Sequence, residues 1–231
     1  MRVLLLGLLL FPCTLTAVEM GDRQYAEDRV HEIEQALAQW REIAETAPSL
    51  PPAEAIPKLG LGVRKTADPT PYRLGDREGT HRKLQEALLA IPGHAEFYGR
   101  LIDQAMDIYV KEGPYAKSNL EQTQLDAHMV LKNLPSRETV RMLGEMLSDT
   151  RGVVKMKADG SNLDEWLSQV PNRAFAVMTL RSLLEDTPPL LRDNRGEEDF
   201  LPWIQWYEGI KSGKRGFRFK GDPKEYHLAG A

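Results

Sequence analysis

At 231 residues, with 42% hydrophobic and 28% charged side chains and a formal charge of −4, the chain has the composition of one folded domain plus appendages, neither disordered nor embedded in a bilayer. The small, dispersed acidic excess gives nucleic acid no general foothold. A single cysteine excludes a disulfide framework, and an aromatic share of 7% points to helices more than to sheet.

Residues 1–17 read as a secretory signal peptide: Arg2, the apolar run Val3 to Phe11, a breaker at Pro12, then Thr14 and Thr16, with Ala17–Val18 as the expected cleavage bond. The run is too short to cross a ~30 Å hydrocarbon core. The expected location is therefore periplasmic or secreted. A lipid-anchored export signal would also end in a cysteine, but Pro12 in front of Cys13 argues against anchoring there. Loss of Cys13 with the leader would leave a mature chain with neither disulfides, thiol chemistry nor thiolate metal sites. No later apolar run approaches the ~20 residues of a membrane-spanning helix.

Residues 18–47 carry Ala26, Val30, Ile33, Leu37, Trp40 and Ala44 at spacings of three and four, which predicts one long amphipathic helix with a narrow apolar stripe. From 48 to 79 the pattern is broken by Pro48, Pro51, Pro52, Pro57, Pro69 and Pro71 and by four glycines, so that stretch is expected to be an extended linker with no regular element.

Residues 80–188 then read as a series of helices. Thr80 is the expected N-cap of a helix burying Leu84, Ala87, Leu88 and Ile91, and the next is expected to bury Phe97, Leu101, Ile102, Ala105, Ile108 and Tyr109. Ser118 with Glu121 forms a capping box for a helix to Leu134. Ser136 caps one with Val140, Leu143 and Leu147 inward, Ser161 with Asp164 a short one holding Trp166, and Asn172 one with Val177, Leu180 and Leu184 inward.

One corner recurs: Ile91-Pro92-Gly93-His94, Leu134-Pro135-Ser136-Arg137 and Val170-Pro171-Asn172-Arg173. Proline ends one helix and the next residue caps another, so each corner is expected to turn a helical hairpin. Past the second corner, Val140-Arg141-Met142-Leu143-Gly144-Glu145-Met146-Leu147-Ser148-Asp149 resembles the second helix and closing aspartate of HEAT-type repeats. The segment from Arg173 to Leu183 is similar to a HEAT helix that starts with Arg and packs through small residues. The resemblance covers about residues 80–188 and implies an all-α fold of irregular HEAT-like hairpins, an α-solenoid or a helical bundle.

Residues 189–231 form a small helix-strand module. Pro202 suits a first helical turn; Trp203, Trp206 or Tyr207, and Ile210 share a face; Phe217 and Phe219 then alternate with Arg218 and Lys220 along a strand. Two readings follow. The aromatics cap the open end of the helical stack, or they join Lys211, Lys214, Arg215, Arg218 and Lys220 in an exposed cationic binding patch.

The sequence offers no constellation for chemistry. The five histidines have no helical metal-ligand spacing, there is no Gly-x-Ser-x-Gly turn or phosphate loop, and Glu197, Glu198 and Glu208 read as solvated carboxylates, so no catalytic, cofactor or metal residue is assigned. His128, among Leu125, Met129 and Leu131, reads as a core histidine. The expected function is that of an exported, non-catalytic interaction or scaffold protein with an unidentified protein partner. The alternative is an exported enzyme or small-ligand binder with its site between the C-terminal module and the helical domain. A third reading uses Val30, Ile33, Leu37 and Trp40 as a coiled-coil seam in an envelope assembly.

Overall fold

A computed structural model describes residues 12–68, 70, 75–112, 117–151, 171–189 and 197–228. Among them are eight α-helices and one two-stranded sheet, so the fold is all-α with a small C-terminal hairpin. The helices are α1 (Pro12–Thr46), α2 (Pro52–Ala67), α3 (Arg77–Leu89), α4 (His94–Glu112), α5 (Lys117–Leu131), α6 (Arg137–Met146), α7 (Asn172–Leu183) and α8 (Glu197–Lys211). The strands are β1 (Phe217–Arg218) and β2 (Glu225–Tyr226). The leader's apolar run and the expected short helix at 161–167 lie outside the described residues.

The amphipathic stripe of α1 is spent inside the chain. Ile33, Leu37 and Ala44 are buried against α2 and α3, while Val30 stays exposed at the stripe's edge. A seam for a second chain would need Leu37 at the surface, and it is fully covered.

The largest departure from expectation is α2, a sixteen-residue helix inside the stretch read as an extended linker. Pro51 and Pro52 stand at its start, where a missing amide hydrogen costs nothing, Glu54 lies in the first turn, and Arg64 and Lys65 lie in the last. Its glycines serve contact rather than looseness. A Cβ on Gly60 would overlap the Tyr98 hydroxyl, and one on Gly62 would crowd Leu84 and Trp40. Ala55, Ile56, Leu59 and Val63 complete a buried face against α3 and α5.

Helix starts also shift. Asp76, not Thr80, caps α3 through Gly79 N–H at 3.0 Å, and Thr80 is buried one turn inside. Helix α5 begins at Lys117, which puts Ser118 in its first turn. Ser136 does cap α6, accepting from Thr139 N–H at 3.0 Å. Pro171 is the N-cap of α7, so the Asn172 side chain is released to other partners. On α4 the buried face is His94, Ala95, Tyr98, Ile102, Met106 and Tyr109, which leaves Leu101 and Ile108 exposed. Histidine and tyrosine outcompete the aliphatics there because each finds a partner inside: Tyr98 hydroxyl donates to the Ile56 carbonyl, and His94 is described below.

The first two proline corners are not the turns of hairpins, and the third begins at Val170, outside the described residues. Helix α3 packs on α2 and α1, α4 packs on α5, and α6 packs on α7, so the corners at Pro92 and Pro135 each join one helix pair to the next. Gly93, at φ +83, makes the redirection between α3 and α4, a backbone conformation that side-chain-bearing residues resist. Two corners then abut. Glu138 of α6 accepts from Ala95 N–H (2.8 Å) and Gly93 N–H (3.1 Å), which satisfies free donors at the start of α4. His94 Nδ1–H donates to the Ile91 carbonyl at 2.9 Å, and its Nε2 lies 2.9 Å from the Ser136 hydroxyl. These contacts hold α4 and α6 side by side with their starts level.

One apolar cluster runs from Ala44 to Leu228, through all the pairs and into the C-terminal module. Helix α8 meets α6 where Gly144 has no side chain: a Cβ there would overlap the Tyr207 ring. The Tyr207 hydroxyl reaches the Arg141 carbonyl (3.1 Å) and Glu145 Oε1 (3.0 Å).

Replacing Gly144→Ala gains at most ~1 kcal/mol of helix propensity, against roughly 1–3 kcal/mol for forcing a methyl into a filled contact. The expected result is a net loss of roughly 0–2 kcal/mol in urea unfolding. His128 gives a pH prediction. The Thr179 hydroxyl donates to the Phe175 carbonyl and accepts from His128 Nδ1–H at 2.6 Å, while burial, aided by nearby Lys132, lowers the imidazole from its ordinary 6.5. The unfolded chain takes up this proton more readily, so the stability present above pH 6.5 is lost as pH falls below it. The slope of unfolding free energy between pH 7 and pH 5 should be shallower in His128→Asn.

Candidate functional site

The sequence-predicted site divides by burial. Trp203, Trp206, Tyr207, Phe217 and Phe219 are all buried; Lys211, Lys214, Arg215, Arg218 and Lys220 are all exposed. The aromatics pack together beneath the surface: Trp203 and Trp206 meet edge to face at 5.7 Å, and Phe217 and Phe219 do so at 5.5 Å. Trp203 Nε1–H donates to the Pro189 carbonyl, and the Arg173 guanidinium lies 4.0 Å from the Phe200 ring centre. Each large aromatic removes roughly 150–250 Å² from water, about 4–6 kcal/mol apiece before ordering entropy is subtracted. The module therefore closes the apolar end of the stack, and the exposed aromatic half of a binding patch is absent among these residues.

The closure is pinned by backbone pairing. Phe217 pairs with Tyr226 and Arg218 with Glu225 in the antiparallel hairpin, and Phe219 bridges to Leu184 at the end of α7. The strand alternates as expected, phenylalanines in and cations out. Pro202 is not in the first turn, because α8 starts five residues earlier, at Glu197. Several of the cations already have partners: Lys211 with Glu145, Arg218 with Asp186, and Arg215 with the Asp186 carbonyl. A hollow of about 540 Å³ opens between this hairpin and the turn after α7, walled by Glu185, Asp186, Lys214 and Arg215 with the edge of Trp206. Asp186 sits there at φ +50, a strained geometry for a non-glycine residue. Acids and bases alternate around it, with Arg218 paired to Asp186, which leaves a balanced, polar surface.

A different place combines apolar surface with charge. Because Glu138 levels α4 with α6, the outer faces of these helices form an open groove of about 440 Å³ that continues to the start of α7. Its floor is Gly99, Met142 and Met146. A Cβ at Gly99 would press on Met142, so the missing side chain gives the groove its depth. Its rim is Glu96, Arg100, Asp103, Glu145, Asp149 and Arg151.

Arg151 organises one end. It binds both oxygens of Asp149 at 2.9 Å and reaches Asp103 and Asp107 on α4. Asp149 in turn accepts from the Asn172 side chain at 2.9 Å, and Asn172 accepts from Gln124 at 2.7 Å, a chain of polar contacts leading into the buried space between α5 and α7. Burial pushes the Asp149 carboxyl up, but hydrogen bonds from Arg151 and Asn172 together outweigh it and hold the group below its ordinary value. At the other end Lys211 keeps Glu145 below its own ordinary value, assisted by the Tyr207 hydroxyl. Asp149 and Glu145 are thus anions at neutral pH.

Sequence reasoning did not single out this groove. Its trace was present as a second helical stripe: Glu96, Gly99, Asp103 and Asp107 on α4, and Met142 with Met146 on α6, opposite the inward Val140, Leu143 and Leu147. Among the described residues, no three His, Cys, Asp or Glu side chains are grouped so as to hold a metal ion. None of their helices is long and apolar enough to cross a membrane. No family model, curated protein or solved structure matches the chain.

Removing Arg151 tests the organisation of the rim. Arg151→Ala leaves Asp103, Asp107 and Asp149 facing one another and should cost about 1.5–3 kcal/mol, the range for hydrogen bonds to charged groups. Asp149's contribution is present above its ordinary pKa of 3.8 and lost as pH falls through that region, so the deficit in urea unfolding should narrow towards pH 3.

Proposed function

We propose that the chain is an exported protein-binding scaffold with no chemistry of its own, built from stacked HEAT-like helix pairs, and that a polypeptide partner docks in the groove between α4 and α6. The observation that carries this reading is the methionine floor under a charged rim: Met142 and Met146 are only partly buried, and they lie in an open trough rather than an enclosed cavity. Unbranched thioether side chains repack around different shapes, which suits a surface that grips side chains of another chain. An open trough of this kind leaves a small metabolite largely in water, whereas a peptide covers it along its length. Export is supported by the leader-like residues 1–17.

The test is affinity capture with the tagged mature chain from the native envelope or medium, run in parallel with Met146→Arg. Met146→Arg places a long cation on the floor, and its side chain can extend to solvent without disturbing Leu143 or Leu147. Its melting temperature should match the parent, and a specific partner should drop out of the captured set. Identical partner sets from parent and Met146→Arg would overturn the groove as the docking site.

A further inference from the structure

We infer that the partner segment that fits this groove is cationic and amphipathic, a stretch of Lys or Arg side chains flanking an apolar one; the inference rests on the groove being the docking site. The argument is charge capacity. Around the methionine floor stand five carboxylates, Glu96, Asp103, Asp107, Glu145 and Asp149, against four cations, Arg100, Arg141, Arg151 and Lys211. Three of these cations already have carboxylate partners. Arg151 is shared by three aspartates, Arg100 is held by Glu96 at 2.8 Å, and Lys211 by Glu145 at 2.9 Å.

The carboxylates are not used up by these bonds. A carboxylate offers about four lone-pair sites, and the side chains of Glu96, Asp103, Asp107 and Glu145 are each more than half exposed. A guanidinium or ammonium offers donors only. An arriving cation therefore finds acceptors open on both walls, and the excess of carboxylates over cations disfavours an arriving anion. Apolar contact with Met142 and Met146 supplies the non-directional part of the affinity, and the net negative rim supplies sign selectivity and steering. Glu96 and Asp103 lie on one wall and Glu145 on the other, so a segment seated on the floor can place cations to either side of a central apolar residue.

The test uses two fluorescein-labelled model peptides of equal length, one repeating Lys-Leu-Leu-Lys and one repeating Glu-Leu-Leu-Glu, titrated by fluorescence anisotropy at low ionic strength against the full mature chain. The cationic peptide should bind about tenfold tighter or better than the acidic one. Glu96→Lys should weaken it several-fold. Glu42→Lys makes the same change in net charge on the exposed face of α1 and should leave it unchanged. Equal affinity for the two peptides, or equal losses in Glu96→Lys and Glu42→Lys, overturns the inference, because binding would then follow overall charge or hydrophobicity alone. Circular dichroism melts of both variants separate loss of binding from loss of fold. If Met146→Arg still abolishes capture of the native partner while the peptides show no preference, the groove stands and only the cationic class falls. A preferred peptide that Met146→Arg does not weaken places its site elsewhere and overturns the inference as well.

Discussion

The carboxylate of Glu138 does for α4 what no residue in α4's own approach can do. The start of a helix exposes amide hydrogens that must find acceptors, and the turn ahead of α4 offers Pro92 and Gly93, neither of which carries an acceptor side chain. The acceptor comes from the next helix pair, forty-odd residues downstream, and it accepts from the backbone amides of Gly93, Ala95 and Glu96. A local need is met only by a tertiary contact. That contact sets the stagger of α4 against α6, and the stagger sets Gly99 opposite Met142, which is where the groove opens.

From that alignment the remaining packing follows. With α4 and α6 level, α5 and α7 come together behind them, and the polar chain Gln124, Asn172, Asp149 and Arg151 runs from their interface to the groove's rim. The far side of α6 is left as an apolar surface with a notch at Gly144. Helix α8 and the hairpin fill it, with Tyr207 seated in the notch and Trp203 and Phe219 sealed beneath.

Much of this was legible from side-chain spacing. The helical class, the inward faces of α6 and α7, the Ser136 cap and the in-out alternation of Phe217 to Lys220 all came from local patterns, because each depends on residues within one or two turns. What was not legible depended on partners distant in sequence. Helix α2 looked unfoldable because Gly60 and Gly62 are costly in an isolated helix, and only the presence of Tyr98 and Trp40 makes their small size an asset. The corners announced breaks, yet a break does not say whether the two helices it separates fold back on each other. The aromatic-rich tail drew attention as a candidate surface because composition alone cannot distinguish a lid from a landing site. The groove was overlooked for a related reason: its residues are ordinary acids and methionines, informative only once two helices are set level.

The hairpin also has a bearing on the order of events when the chain is made. Phe217, Phe219 and Leu228 belong to the same interior as Ala44 and Leu59, and Lys220 N–H closes onto the Leu183 carbonyl at 2.8 Å. Translation delivers these residues after all eight described helices. Until they emerge, the helices already synthesised hold an uncovered greasy flank, so the interior is sealed by the segment made after every helix it covers.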